Sequence, residues 1–254
     1  MKLLLKMNKK LILHIPHSST HIPLFEGYLV DSMALEKEML KLTDWYTHDL
    51  FHSDADEMII AGFSRIFCDP ERFTDDSQEV MAQYGMGVLY EKSDAGEMIR
   101  NVTPELKAKV LADYYWKHHG RFSAAVNNQL NLFGKVTIVD CHSFPSKPLT
   151  RALDKNPDRP DFNIGTDPFH TPKELVDLSV SFFKEAGYTL GVDWPYRGSI
   201  VPLEHYQKNR NVSSIMLEVN RALYLKEPSN QKSESYSQIK QITSDYIRTI
   251  KNTL

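Results

Sequence analysis

The chain alternates between short continuous apolar runs and longer segments in which apolar residues recur at helical spacing. The runs KLILHI (10–15), KVTIVD (135–140) and SSIMLEVN (213–220) predict β-strands, the last two of the kind buried on both faces of a sheet. DEMIIAGFSRIFCD (56–69) is rich in Ile and Phe with small residues between, and predicts one bent strand or two short ones.

The most regular helical segment covers residues 103–134. Thr103 is suited to an N-cap, Pro104 to the first helical position and Gly134 to the end of the helix. Further helices are predicted over 31–51, with a potential break at LTDW, over 171–188 and over 233–254.

This alternation of strands and helices predicts a single α/β domain over residues 1–254, with three layers and a largely parallel central sheet. The turn-rich segment DKNPDRPDFNIGTDP (154–168) is interpreted as a long loop within that domain.

Composition narrows the class of protein. With 254 residues, 41% hydrophobic, 25% charged and a net charge of -3, the chain is typical of a globular protein and shows no basic surplus for nucleic acid. No apolar run is long enough for a membrane span, and the sequence does not determine the oligomeric state.

The start of the chain and its two cysteines indicate a cytoplasmic protein. MKLLLKMNKKLILHI could be a signal peptide, but lysines interrupt its apolar stretch and no small-residue cleavage site follows, which favours a first strand with a basic lead-in. Cys68 and Cys141 could form one disulfide, but buried free thiols in a reducing compartment are favoured.

Polar residues that suit a zinc site follow the predicted strands. His17 comes after the first strand, His142 after VTIVD and Glu218 late in SSIMLEVN. Because ligands of an open α/β sheet bind outside the carboxyl ends of its strands, these side chains are expected at one edge. A catalytic zinc takes three protein ligands and a water, and Asp44 or His48 could supply the third ligand.

Other histidines are interpreted as structural. His14 lies within a strand pattern and is expected in the core or behind a ligand, and His21 is expected in a loop. His118 and His119 are expected on a half-exposed helix surface.

An ordered set of motifs resembles the N-formylglutamate amidohydrolase family. The motifs run from about Leu11 to Leu225: HIPHSSTHIP, TDWYTHDLF, FSRIFCDPERF, IVDCHSFP, FNIGTD, PYRGSIVPLEHY and SIMLEVNRALYL. The family is similar in fold to the zinc carboxypeptidases, which implies a phosphorylase/hydrolase-like sandwich with a mixed sheet. The resemblance implies a zinc-dependent enzyme that hydrolyses the formamide of N-formyl-L-glutamate, a small-molecule substrate, in the last step of one route of histidine breakdown.

The matching positions suggest roles for individual residues. The family motifs place zinc ligands at His17, Asp44 and His142, and a general base at Glu218. They also place arginines at positions 65, 72 and 197.

Three departures from the family pattern bear on the substrate. Ser19 replaces a frequent glycine, and His48 stands where aspartate is common. DPER, with Pro70 and Glu71, replaces the usual DLNR.

The substrate side requires cations, because N-formylglutamate carries two carboxylates. Arg72 and Arg197 are expected to bind them through paired hydrogen bonds, and Ser143 to donate to an oxyanion. Arg65 is expected to be structural.

Several alternatives remain open from the sequence. Glu218 could instead pair with Arg221. The arginines at 72 and 197 could pair with Asp69, Glu71 or Asp193. The protein could act on another N-acyl amino acid or a small peptide, or be a non-catalytic member of the fold.

Overall fold

The computed structural model describes residues 9–253. A six-stranded mixed sheet lies at its centre, with the strand order β2-β1-β3-β6-β4-β5. The strands are β1 (Ile12–Ile15), β2 (Glu57–Ile60), β3 (Val136–Phe144), β4 (Phe162–Gly165), β5 (Leu190–Val192) and β6 (Val212–Asn220). β1, β2, β3 and β6 run parallel, whereas β4 is antiparallel to β6 and parallel to β5.

Helices cover both faces of this sheet. The α-helices are α1 (Ser32–Leu42), α2 (Thr47–Leu50), α3 (Pro104–Val110), α4 (Trp116–Phe133), α5 (Lys173–Glu185) and α6 (Tyr236–Thr253). A π-helical turn (Leu111–Tyr115) joins α3 to α4, and short 3₁₀ helices occupy Val80–Tyr84 and Arg221–Leu223.

Side-chain alternation along the strands assigns the two faces. Leu13 and Val139 belong to the core that α2, α5 and α6 cover. Ile12 and Ile138 point the other way and pack against α4. The prediction of a three-layer α/β fold with a mixed, largely parallel sheet is confirmed.

The long predicted helix forms as expected at both ends. The side chain of Thr103 accepts a hydrogen bond from the Leu106 N–H, Pro104 is the first helical residue, and Gly134 ends the helix with a φ of 71°. The helix is nevertheless divided by its π-helical turn, which apolar spacing did not reveal.

Two sequence predictions about irregular segments were wrong. Only Glu57–Ile60 of the segment 56–69 is a strand, because the chain turns where Ser64 accepts the N–H groups of Phe67 and Cys68. The segment 154–168 contains β4, which pairs with β6 although FNIG is too short and polar to look like a strand.

Both cysteines are free and buried, as the sequence predicted. Residues 1–8, where a signal peptide was weighed against a basic lead-in, lie outside the described residues. Within residues 9–253, the helices are too short or too polar to cross a bilayer. The cytoplasmic location stays a prediction.

Candidate metal centre and active site

The carboxyl ends of β1, β3 and β6 converge on one buried polar site. His17 lies two residues after the end of β1. His142 and Glu218 lie near the carboxyl ends of β3 and β6 and are paired with each other across these two strands. The sequence had placed His142 after its strand, but β3 continues to Phe144, which still pairs with Asn220 of β6. The expected convergence of these three side chains is therefore observed.

A cavity of about 790 Å³ opens over this site. Its volume lies within the range of small-molecule binding sites. All seven residues predicted to bind metal or substrate or to act in catalysis line it: His17, Asp44, Arg72, His142, Ser143, Arg197 and Glu218.

The His17 ring is held by a carboxylate at its Nε2 atom. Its Nε2 lies 2.8 Å from Oδ1 of Asp69, which is fully buried and also accepts from Arg65 and the Tyr90 hydroxyl. An ionised carboxylate only accepts, so Nε2 carries a proton, and in the neutral form of the ring the lone pair is at Nδ1. That Nδ1 is buried and has no hydrogen-bond partner among the described residues.

The His142 ring also has carboxylates at its Nε2, but its Nδ1 faces a further carboxylate. Its Nε2 lies 3.1 Å from Oδ1 of Asp140 and 3.2 Å from Oε1 of Glu71. Its Nδ1 lies 3.1 Å from Oδ2 of Asp44. Histidine ligands of metals are commonly oriented in this way by a carboxylate on the second ring nitrogen.

Asp44 lies between the two Nδ1 atoms. Its Oδ2 is 3.7 Å from Nδ1 of His17, while its Oδ1 accepts from Arg221 at 3.0 Å. The Asp44 N–H donates to the His17 carbonyl, so the break between α1 and α2 fixes this carboxylate beside the histidine. Burial would raise the Asp44 pKa, but the hydrogen bonds with His142 and His17 outweigh it and lower the pKa.

Glu71 is a second carboxylate at the same rings. Its Oε1 lies 3.6 Å from Nδ1 of His14, and its Oε2 lies 3.8 Å from Nε2 of His17. Atoms of His17, Glu71 and His142 that could bind a metal ion lie within 4.8 Å of one another. The same holds for His14, Glu71 and Asp140. In the sequence, Glu71 stands out only as part of the DPER departure from the family pattern and as a potential ion-pair partner of an arginine.

The charges around the two histidines suit a cation. Burial lowers the pKa of His142, but Glu71 and Asp140 outweigh that effect and raise the pKa well above its ordinary value. Burial and the nearby Arg65 lower the pKa of His17, but Asp69 and Asp44 outweigh them, so the pKa is raised. A metal dication bound by the imidazole and carboxylate groups would neutralise the same excess of negative charge.

His14 and His118 form a buried pair behind the site. Nδ1 of His14 lies 2.9 Å from Oδ1 of Asp140, and its Nε2 lies 3.0 Å from Nε2 of His118. The prediction that His118 is half-exposed was wrong: it is 3% exposed, and burial lowers its pKa to about 2. His119 is partly buried beside it, with Nε2 2.8 Å from the Pro70 carbonyl. His14 is buried and hydrogen-bonded, as its place in the strand predicted.

Glu218 carries a free carboxylate oxygen beside the histidines. The residue is 7% exposed, and its Oε2 has no hydrogen-bond partner among the described residues. Burial, with smaller contributions from Asp44 and Glu71, raises its pKa to about 7. The alternative pairing with Arg221 is not observed, because Arg221 donates to Asp44 and Ser143 instead.

The arginines differ in how fully they are neutralised. Arg65 donates to Asp69 at 3.0 Å, in agreement with a structural role. Arg72 lies 3.6 Å from Asp69 and 3.7 Å from Glu79. Arg197 is exposed at the cavity and has no ion pair or hydrogen bond with a described residue.

The remaining predicted positions are also located. Ser143 accepts a hydrogen bond from Nε of Arg221 at 3.2 Å, and its own N–H donates to Asp44. His48 is exposed on α2 and does not line the cavity. His21 is exposed in a loop, as expected.

Comparison with known proteins agrees with the resemblance seen in the sequence. The sequence model of a family described as N-formylglutamate amidohydrolase matches residues 9–225. A similar solved structure is an N-formylglutamate amidohydrolase from Ralstonia eutropha JMP134, with a TM-score of 0.84 and 24% identity over 97% of this chain and 94% of that chain. A second is the gene product Atu2144 from Agrobacterium tumefaciens, with a TM-score of 0.63 and 15% identity over 96% of this chain and 92% of that one. A search of curated proteins gave no significant match.

Proposed function

Because this chain belongs to the N-formylglutamate amidohydrolase family, we propose that it hydrolyses N-formyl-L-glutamate to L-glutamate and formate with the help of zinc. The observation that carries this proposal is the position of Asp44, whose Oδ2 lies 3.7 Å from Nδ1 of His17 and 3.1 Å from Nδ1 of His142, at the edge where Glu218 keeps a free carboxylate oxygen. The reaction would complete one route of histidine breakdown.

The three proposed zinc ligands are His17, Asp44 and His142. A zinc ion there would polarise the formyl carbonyl and lower the pKa of its water from about 15.7 towards about 7. Asp69 and Asp140 would keep the two rings turned with Nδ1 towards the ion, because each accepts the proton on Nε2. Glu71 is the alternative third ligand, since it too lies close to both rings.

Glu218 is proposed as the general base. Its pKa near 7 suits a group that takes a proton from the attacking water and passes it to the leaving nitrogen. Its place on a buried strand beside His142 keeps the carboxylate fixed relative to the reacting bond.

Of the two arginines expected to bind substrate carboxylates, which both line the cavity, Arg197 is proposed to bind one, whereas Arg72 already lies within 4 Å of Asp69 and Glu79. Arg197 is supported by the absence of any acidic partner among residues 9–253. Ser143, whose oxygen accepts from Arg221, is proposed to donate its hydroxyl hydrogen to the oxyanion.

A broader N-acyl amino acid hydrolase is the second candidate function. Glu71 favours it, because this carboxylate stands in the cavity next to Arg72 and would repel part of a dianionic substrate.

Formate release from N-formyl-L-glutamate, measured together with the zinc content of the purified protein, tests the proposal. The expected result is turnover that a chelator removes and added zinc restores. Turnover that survives complete zinc removal would contradict the metal-dependent mechanism. Formate release from other N-formyl amino acids but not from N-formylglutamate would favour the second candidate.

A further inference from the structure

The cavity contains arginines in two electrostatic states. Five arginines line it, at positions 65, 72, 151, 197 and 221. Three of them lie within 4 Å of a buried carboxylate: Arg65 and Arg72 share Asp69, and Arg221 faces Asp44. Among the described residues, the guanidinium groups of Arg151 and Arg197 are the two of these five that form no ion pair with a carboxylate.

Arg151 is held in place without using its terminal nitrogens. Its Nε donates to the Asp94 carbonyl at 3.3 Å, and its N–H donates to Oδ1 of Asp94 at 2.8 Å. The guanidinium packs against Gly96, where a Cβ would lie 1.8 Å from Nη2, and its centre is 5.8 Å from the Tyr84 ring. A guanidinium anchored through Nε, at a residue that lines the cavity, can bind a ligand at a small entropic cost.

The two free arginines occupy different parts of the cavity wall. Arg197 follows Tyr196, whose carbonyl accepts from Asn163, and Asn163 is the register partner of Glu218 on β4. Arg151 lies in a different part of the cavity wall, where its N–H and its Nε donate to Asp94. Arg197 is therefore linked through Tyr196 and Asn163 to the proposed catalytic base, whereas Arg151 is not.

We propose that Arg151 determines specificity by binding the side-chain carboxylate of a dicarboxylate substrate, while Arg197 binds the α-carboxylate. The proposal rests on the proposed function. The α-carboxylate is attached to the carbon next to the amide nitrogen, so it must lie near the catalytic carboxylate and suits Arg197. The carbon of the side-chain carboxylate is the third carbon from the α-carbon. This carboxylate is therefore farther from the amide, and it suits Arg151, the other arginine without an ion pair.

Steady-state kinetics on two substrates tests this assignment. Arg151→Ala should lower kcat/KM for N-formylglutamate by about tenfold to a hundredfold, the size expected for a charge-assisted pair. It should change kcat/KM for N-formylglutamine, which lacks the second charge, by less than about threefold on the same reasoning. Arg248→Ala, at an exposed arginine of α6 that pairs with Asp245, is the matched control and should change neither.

Equal losses on both substrates, or no loss on either, would overturn the proposal. A selective loss in Arg72→Ala instead of Arg151→Ala would also overturn it. Arg151→Gln keeps the aliphatic stem and replaces the alanine variant if that variant melts at a lower temperature than the wild type.

Binding measurements separate this inference from the proposed reaction. If the wild-type protein does not release formate from N-formylglutamate, the proposed function fails, and calorimetric binding of glutarate and of its monoamide still tests Arg151. A wild-type preference for glutarate that disappears in Arg151→Ala would support the inference. The absence of that preference, or its persistence in the variant, would overturn it.

Discussion

Glu218 stands directly beside His142, its register partner across the parallel strands β3 and β6. Paired residues project from the same face of a sheet, so this register brings a carboxylate and an imidazole together at one edge. Burial of the carboxylate keeps its pKa near 7, in the range that suits proton transfer at neutral pH.

Glu218→Gln should retain zinc and lower kcat at saturating N-formylglutamate by roughly 10²-fold or more, because the amide keeps the shape of the side chain but cannot take a proton. Zinc analysis and initial rates check both parts. The control is Glu185→Gln, at an exposed position on α5, and it should behave like the wild type. Near-full turnover of the Glu218 variant would assign this residue a structural role.

His142→Ala should abolish zinc binding, which is expected at about one ion per chain in the wild type. The reason is that Nδ1 of His142 faces Asp44 while its Nε2 is held by Asp140. Metal analysis after dialysis is the measurement, and His48→Ala is the control because His48 is exposed outside the cavity. Full zinc occupancy in His17→Ala/His142→Ala would exclude the site.

The third ligand can be identified by comparing two carboxamide variants. We expect Asp44→Asn to weaken zinc affinity by about tenfold or more, and Glu71→Gln to weaken it less, because Asp44 faces the Nδ1 atoms and Glu71 the Nε2 atoms. Competition with a chelating dye measures both affinities. The opposite order would place Glu71 in the ligand set.

Asp140→Asn should weaken zinc affinity or activity by about 10- to 100-fold, although Asp140 is not a proposed ligand. Its Oδ1 lies close to both His14 and His142, and its Oδ2 accepts from the Ile200 N–H at 3.1 Å. An amide oxygen in place of the carboxylate would hold the His142 ring less firmly. Unchanged affinity and unchanged kcat in this variant would contradict the orienting role.

Asp49 should make stability depend on pH between about 4 and 2. Burial opposes its charge, but hydrogen bonds from Lys240 and Tyr236 outweigh burial and lower its pKa from 3.8 to about 2. A lowered folded-state pKa stabilises the protein above the unfolded-state pKa, and that contribution is lost as pH falls through the folded-state value.

Asp49→Asn should therefore lower the free energy of unfolding at pH 7 by up to about 1 kcal/mol, since the side chain is partly exposed. Urea unfolding at pH 7 and pH 3 is the measurement. Asp54→Asn, at a carboxylate that is 98% exposed, is the control. A variant whose stability difference from the wild type is the same at both pH values would contradict the proposed linkage.

The sequence by itself determined the frame of the site. Apolar runs marked β1, β3 and β6, and the ends of parallel strands meet at one edge, so His17, His142 and Glu218 could be placed together before their contacts were known. Local rules also located the caps of the long helix at Thr103 and Gly134, because capping depends on neighbouring residues only.

Only the tertiary structure decided what surrounds that frame. His14 and His118 are 104 positions apart, so no local pattern could show that one buries the other. Asp140 carried a weak signal, since it lies two residues before His142 and thus on the same face of β3. Arg151 carried none: its lack of an acidic partner depends on where distant loops place their carboxylates, and spacing along the chain does not encode that distance.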